Sequence, residues 1–274
     1  MFVAPWRLSW YIWQRRTLLI EIRCGYAMDA KEVEKFMSLA DVWWDMESPI
    51  KYLHSMNKLR IPFMLNCLKS IGFLKKDDEN ASVPLKNVNI LDVGCGCGIM
   101  SEPLSRLGAN VTGVDGVPEM IQCAKDHAAL DKDLKELKYF TEPIQTFAAK
   151  NKEKFDIVVA SELLEHVTDK AGVVKASVQC LKPEGSIFIT TESKSLLSKW
   201  ITIDWLEFIG AIPKGGHELE MYITPKETQK LLEENNCTVK SVRGTFYNPY
   251  AGKWYFSPFI TWYIMHAVKN KSTE

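Results

Sequence analysis

Short continuous apolar runs along this chain alternate with longer stretches in which apolar residues recur every three or four positions. The runs Val88 to Val93, Val111 to Val114, Phe155 to Ala160 and Ser186 to Thr190 are bounded by glycine, proline or charge, the pattern of strands buried on both faces. The helical spacing between them supplies crossovers. The predicted fold is therefore α/β and doubly wound, with a mostly parallel sheet and the functional crevice at the carboxyl ends of its strands. The β-rich segments Thr238 to Val242 and Phe259 to Val268 are expected to complete the sheet as an antiparallel edge.

Upstream, Asp29 to Phe73 has helical spacing: Val33, Phe36, Met37 and Leu39, a polar break at Met46 to Lys51, then Leu59, Ile61, Phe63, Met64, Cys67, Leu68 and Ile71. This predicts a helical cap over 29–80, ending in the charged linker Lys75 to Asn80, before an α/β domain over 81–274. Within that domain Leu197, Ile201, Trp205, Phe208 and Ile212 form one narrow apolar stripe in an inserted lid, about residues 192–222. Such a stripe either packs a lid on the core or dips into a membrane interface.

At 274 residues and 46% hydrophobic, the chain suits one large core with a modest cap. Lys+Arg and Asp+Glu each total 34, so no net field draws it to nucleic acid. Seven cysteines, odd in number and scattered, point to a reducing compartment. Cys95 and Cys97, one residue apart, cannot readily share a tetrahedral metal. Residues 1–28 carry Arg7, Arg15, Arg16 and Arg23 against the single acid Glu21 among several tryptophans and leucines. This is an extension of the kind that targets mitochondria, too interrupted by arginine to span a bilayer.

The chemistry concentrates where Asn89-Ile90-Leu91-Asp92-Val93 runs into Gly94-Cys95-Gly96-Cys97-Gly98. Glycines on alternate positions let a ligand approach the backbone and permit positive φ. Position 99 is Ile, so a dinucleotide fingerprint lacks its third glycine. Asp92 suits an ammonium, and Asp115, ending the next strand, can accept both hydroxyls of a ribose. Adenosine with an amino-acid tail satisfies all three features.

After the fourth strand comes Ser161-Glu162-Leu163-Leu164-Glu165-His166. On a helix, Glu162, Glu165 and His166 share one face by i, i+3 and i+4 spacing. They would either ligate Mg²⁺ or another divalent metal that acidifies a bound catechol, or leave His166 as a general base. The sequence leaves both open.

The glycine turn and following acid resemble motif I of the class I methyltransferases, whose cofactor is S-adenosyl-L-methionine; the resemblance implies a Rossmann-like, mostly parallel seven-stranded sheet. Trp43-Trp44-Asp45, then Leu53-His54-Ser55-Met56-Asn57-Lys58-Leu59-Arg60, resemble the cap of the ubiquinone-biosynthesis O-methyltransferases. The likeness continues through Ser161 to His166, Pro213 to His217 and Tyr247-Asn248-Pro249. It implies that Arg60, Asp92, Gly94, Gly96, Asp115 and Ser161 hold the cofactor, that Glu162, Glu165 and His166 bind Mg²⁺, and that His166 and Glu162 serve catalysis. It also implies O-methylation of a polyprenylated phenolic substrate at the mitochondrial inner membrane, matrix side, with other ubiquinone-biosynthesis enzymes as partners. Rivals are methylation of another small acceptor and a non-catalytic scaffold. The chain departs from the family's Asn-then-basic pattern at Glu192-Ser193-Lys194, which bears on the substrate pocket.

Overall fold

The computed structural model describes residues 37, 39–48, 50–74, 83–195, 198 and 219–271. The expected targeting segment, the first turns of the cap, the linker Lys75 to Asn80, the lid stripe Leu197 to Ile212 and Pro213 to His217 lie outside the described residues.

The four apolar runs form strands β1 (Asn89–Val93), β2 (Asn110–Asp115), β4 (Phe155–Ser161) and β5 (Leu181–Glu192). With β3 (Lys138–Thr141), β6 (Cys237–Asn248), β7 (Lys253–Ser257) and β8 (Trp262–Lys269), they make one eight-stranded sheet in the order β3-β2-β1-β4-β5-β8-β6-β7. The pairings from β3 to β5 are parallel, and those from β5 to β7 antiparallel. The strand order turns back between β1 and β4, the switch point at which such sheets open a crevice.

Alternate side chains of the central strands feed two apolar layers. Leu91, Val93, Val158, Ala160, Ile187 and Ile189 face one layer, completed by α4 (Ile144–Lys150), α5 (Lys170–Cys180) and α6 (Pro225–Glu234). Ile90, Ile157, Val159, Phe188 and Ile264 face the other, where α1 (Lys51–Ser70) contributes Phe63, Met64 and Leu68 and α2 (Ser101–Arg106) contributes Leu104. Burial on both faces is why these strands lack a polar alternation. Helix α3 (Pro118–Ala128) covers β2 and β3 through Ile121 and Ala124, packed on Tyr139. The cap's helical spacing becomes a 3₁₀ turn at Ala40–Val42 and then α1, separated by the expected polar break.

The sheet has one strand more than the seven expected, and two of its strands, β3 and β7, arise where the sequence pattern named none. In β3 only Tyr139 is buried, and in β7 only Trp254; edge strands of four or five residues with one buried position carry no usable period. The expected late edge also differs in place, because β8 lies inside the sheet between β5 and β6. Asn248-Pro249-Tyr250 is a turn: the Asn248 Oδ1 accepts from the Tyr250 and Ala251 amides at 3.0 and 3.1 Å and heads the β6–β7 hairpin. No helix among the described residues is long and apolar enough to cross a membrane.

His266, for which the sequence offered no partner, lies fully buried in β8. Its ring stacks on Phe188 at 4.5 Å and its Nε2 meets Ser186 Oγ at 3.0 Å. Burial, aided by the Lys240 charge, pushes its pKa down to about 4. The unfolded chain takes up this proton near pH 6.5, so the stability from a neutral buried ring is present above that pH and is lost as pH falls toward 4. Between pH 6.5 and 5 the loss from this residue is about 2 kcal/mol. Denaturant unfolding followed across that window should show His266→Phe with a flatter pH profile than the unsubstituted protein; parallel profiles would remove His266 as the cause.

Candidate active site

The turn after β1 carries three glycines with positive φ: Gly94 at 68°, Gly96 at 52° and Gly98 at 90°. The Gly94 and Cys95 amides donate to the Val114 carbonyl at 2.8 and 3.2 Å, tying the turn to the end of β2. A Cβ on Gly94 would lie 2.6 Å from Leu163 Cδ1, so the turn presses against the segment that follows β4.

Two carboxylates flank this turn. Asp115 Oδ2 accepts from the Gly96 amide at 3.1 Å, and its Oδ1 accepts from the Val117 amide at 2.9 Å. Asp92, 1% exposed, accepts from Ser101 Oγ at 2.6 Å. Burial pushes the Asp92 carboxyl up to about 6, partly offset by the Ser101 bond and the Arg60 charge.

The cap grips the same turn from outside. Trp44 Nε1 donates to the Cys97 carbonyl at 3.1 Å, and Asn57 Nδ2 donates to the Ile99 carbonyl at 2.7 Å. Asn57 Oδ1 then accepts from Arg60 Nε at 2.6 Å, while Arg60 Nη1 reaches Thr190 Oγ1 at 3.5 Å. Arg60 is thus held, 3% exposed, between the glycine turn and β5. Burial lowers its pKa, and the charges of Glu162, Asp92 and Glu165 counter that shift. Two more histidines gain partners here: His54 Nε2 donates to the Trp43 carbonyl at 2.8 Å, and His127 stacks on Trp44 at 3.5 Å while its Nδ1 meets Glu102 Oε1 at 2.7 Å.

Beyond β4 the structure corrects the sequence expectation. Glu162 does not begin a helix. It has φ 51°, its amide donates to the Thr190 carbonyl at 2.8 Å, and only Leu164–His166 form a single 3₁₀ turn. The shared helical face of Glu162, Glu165 and His166 therefore does not exist, yet the left-handed residue brings all three to the same cavity. Glu165, 5% exposed, accepts from Thr191 Oγ1 at 2.7 Å. Burial first, and Glu162 next, raise the Glu165 carboxyl well above the usual range; burial also raises Glu162, against the pull of Arg60. Among the described residues, no group of three His, Cys, Asp or Glu side chains is placed to hold a metal ion.

All nine residues expected from the sequence, Arg60, Asp92, Gly94, Gly96, Asp115, Ser161, Glu162, Glu165 and His166, line one cavity with about 1050 Å³ of open space including its mouth. Sequence reasoning missed Trp43, Tyr52 and Glu192 in its wall. Trp43 lay inside the cap motif, Tyr52 directly before its second half, and Glu192 was visible as the departure after β5, so all three had a signal. Burial raises the Tyr52 phenol well above its ordinary pKa, followed by the charges of Glu192, Glu162 and Glu165.

Residues 67–242 match the family model described as Methyltransferase domain. Among solved structures, a magnesium protoporphyrin IX methyltransferase from Synechocystis PCC 6803 superposes with TM-score 0.59 at 17% identity, covering 84% of this chain and 92% of that one. A methyltransferase from Methanosarcina mazei gives TM-score 0.54 at 21% identity, covering 68% and 93%. The fold is that of the class I S-adenosylmethionine-dependent methyltransferases.

Curated relatives narrow the class. The chain is 41% identical over 251 residues to the mitochondrial ubiquinone biosynthesis O-methyltransferase of Rattus norvegicus, covering 90% of this chain and 71% of that protein. It is 34% identical over 232 residues to the ubiquinone biosynthesis O-methyltransferase of Methylobacterium sp. (strain 4-46), covering 84% and 90%. This chain belongs to the ubiquinone biosynthesis O-methyltransferase family.

Because Gly94 combines positive φ with contact to Leu163, Gly94→Ala is expected to cost roughly 1–3 kcal/mol of unfolding free energy. In a double-mutant cycle the penalty should shrink by at least about 0.5 kcal/mol in a Leu163→Ala background, since the clashing methyls are gone. Strict additivity would show that the contact does not set the turn.

Proposed function

We propose that this protein transfers the methyl of S-adenosylmethionine to a catechol-type hydroxyl of a polyprenylated dihydroxybenzoate, a demethylubiquinol, or both. The observation that carries the reading is the convergence of the cofactor-type residues and the Glu162, Glu165 and His166 group on one cavity. The cavity suits the cofactor on its own features. Ser161 Oγ is buried without a hydrogen-bond partner, and the cavity is lined by the backbone of Gly94 and Gly96, both at positive φ.

S-adenosylmethionine, when bound, supplies an electrophilic methyl on a sulfonium. Arg60, preset by Asn57, pairs the amino-acid carboxylate through its guanidinium fork. Asp92 takes the ammonium, and Asp115, already oriented by two amides, accepts from the ribose hydroxyls. His166 takes the acceptor's hydroxyl proton as the oxygen–carbon bond forms and the carbon–sulfur bond breaks, leaving an ether and a neutral thioether. Glu162 accepts a hydrogen bond from the acceptor and orients it.

A divalent cation such as Mg²⁺ is the second reading, favoured by Glu162 Oε1, which is buried without a hydrogen-bond partner. Carboxylate and imidazole donors are right in kind for such a metal. As placed they do not form a three-ligand group, so no step above depends on one.

The domain division at 28/29 and 80/81, the basic residues 1–28 as a mitochondrial targeting segment, and the stripe Leu197 to Ile212 as the contact with the inner membrane's matrix face belong to the same proposal. An insoluble prenylated acceptor has to be met at such a surface, and the mitochondrial names of the rat and human relatives support the compartment. Other enzymes of ubiquinone biosynthesis are the expected protein partners.

Mass spectrometry of methyl transfer from S-adenosylmethionine to short-chain prenylated catechol acceptors tests this directly, with the protein stripped by EDTA and then given Mg²⁺ or nothing. Methylated product is expected, with His166→Ala lowering kcat roughly 10²–10⁴-fold. Metal-dependent product would favour the second reading, metal-indifferent product the first, and no product despite cofactor binding would reject the acceptor class.

Calorimetry separates the positioning role of Asn57. Asn57→Ala should weaken S-adenosylmethionine binding roughly tenfold by releasing Arg60, a smaller loss than Arg60→Ala causes. Equal affinity for Asn57→Ala and the unsubstituted protein would show that Arg60 needs no such support.

A further inference from the structure

Asp92 lines the cavity, and behind it stands a hydroxyl that does not. Ser101, fully buried at the start of α2, donates from Oγ to Asp92 Oδ2 at 2.6 Å without being part of the cavity wall. The bond does not serve the helix. Met100 is the N-cap of α2 and makes no side-chain capping bond, while the Ser101 hydroxyl reaches across to β1. The first turn of α2 is anchored through the next residue. Glu102, also fully buried, pairs His127 Nδ1 at 2.7 Å and Arg106 Nη2 at 2.9 Å, and its amide donates to the Gly98 carbonyl at 3.0 Å. Ser101 is therefore presented to Asp92 by a fixed piece of backbone.

A carboxylate withdrawn from water keeps its charge only where donors or cations compensate it. Among the described residues, the titratable and charged groups facing Asp92 are Arg60 from α1, Asp115 from β2, Cys95 from the glycine turn and Tyr139 from β3. Arg60 is the cation of that set. In the proposed cofactor placement Arg60 is engaged by the cofactor's own carboxylate, so its pull on Asp92 is shared. Ser101 is the donor that stays wholly with Asp92. Its bond has the length of a hydroxyl donating to an ionised carboxylate, and such a carboxylate has lone pairs left for an ammonium.

We propose that Ser101 is a positioning residue for the cofactor: it holds the Asp92 carboxylate for the ammonium, and through Asp92 makes recognition of the amino-acid tail depend on its amine. This role rests on the cofactor placement above and adds to it a residue outside the cavity wall. Burial raises the Asp92 carboxyl to about 6, and the Ser101 bond is the first influence pulling it down, followed by Arg60. Affinity for an ammonium-bearing ligand is then complete above about pH 6 and is lost as pH falls through that value. Without the hydroxyl the carboxyl rises further, and the loss begins at higher pH.

Calorimetry on the whole protein tests this with S-adenosylhomocysteine and with the 5′-deoxyadenosyl thioether of 4-mercaptobutyrate, which lacks only the ammonium. At about pH 7, Ser101→Ala is expected to weaken S-adenosylhomocysteine roughly tenfold and the amine-free ligand less than about threefold. Between about pH 5 and about pH 7.5, only the S-adenosylhomocysteine affinity should fall on the acid side, and at higher pH in Ser101→Ala than in the unsubstituted protein. In an Asp92→Asn background, Ser101→Ala should add less than about twofold, because the hydroxyl acts through that carboxylate. Equal weakening of both ligands would assign Ser101 to the shape of the turn and overturn the proposal, as would unchanged affinity for both. Ser101→Cys, which keeps the volume and weakens the donor, takes the same comparison should Ser101→Ala not fold. Failure of the folded, unsubstituted protein to bind S-adenosylhomocysteine overturns the cofactor placement itself, which equal weakening of both ligands would leave standing.

Discussion

The backbone of Gly94 to Gly98 is the constraint on which the site depends. Its positive-φ glycines aim amides and carbonyls outward in a pattern that no side-chain-bearing residue adopts without strain. The Gly96 amide fixes Asp115, the Cys97 carbonyl receives Trp44, and the neighbouring Ile99 carbonyl receives Asn57, which in turn holds Arg60. Cap, second strand and glycine turn are therefore one hydrogen-bonded unit, and the cap is a wall of the cavity through Trp43, Ile50, Tyr52 and Arg60.

Electrostatics follows from that geometry. A cavity in which five carboxyl-bearing residues face one guanidinium is suited to a ligand with net positive charge. S-adenosylmethionine, with a sulfonium and an ammonium against one carboxylate, is such a ligand. Burial raises Asp92 to about 6 and raises Asp115, Glu162 and Glu165, with only Arg60 and local hydrogen bonds pulling back. Perturbed buried carboxyls of this kind concentrate at functional sites, in keeping with the proposed placement of a charged ligand here.

What was legible in the sequence divides along physical lines. The four central strands were visible because burial on both faces makes them continuous apolar runs, and the glycine turn because its conformation restricts residue type. The positions of Arg60, Asp92, Asp115 and Ser161 followed from motif order. Edge strands β3 and β7 were not visible, since Tyr139 and Trp254 are their only buried residues. Tyr52 and Glu192 reach the cavity only through tertiary placement, Tyr52 from the first turn of α1 and Glu192 from the end of β5.

Glu162 shows why spacing alone misleads at a site. The i, i+3, i+4 argument required a helix, whereas the chain leaves β4 through a left-handed residue that costs on the order of 1–3 kcal/mol for a side chain of this kind. The surroundings hold that conformation: the Glu162 amide is bonded to Thr190 in β5, and Leu163 next to it is wedged against Gly94. A regular helix starting at 162 would surrender the bond to β5 and with it the register that places Glu162 beside Glu165. Of the five non-glycine residues with positive φ among the described residues, Glu162 is the one that lines the cavity. The strain thus sits where a carboxylate lines the cavity, and the packing of Leu163 on Gly94 couples that carboxylate to the glycine turn.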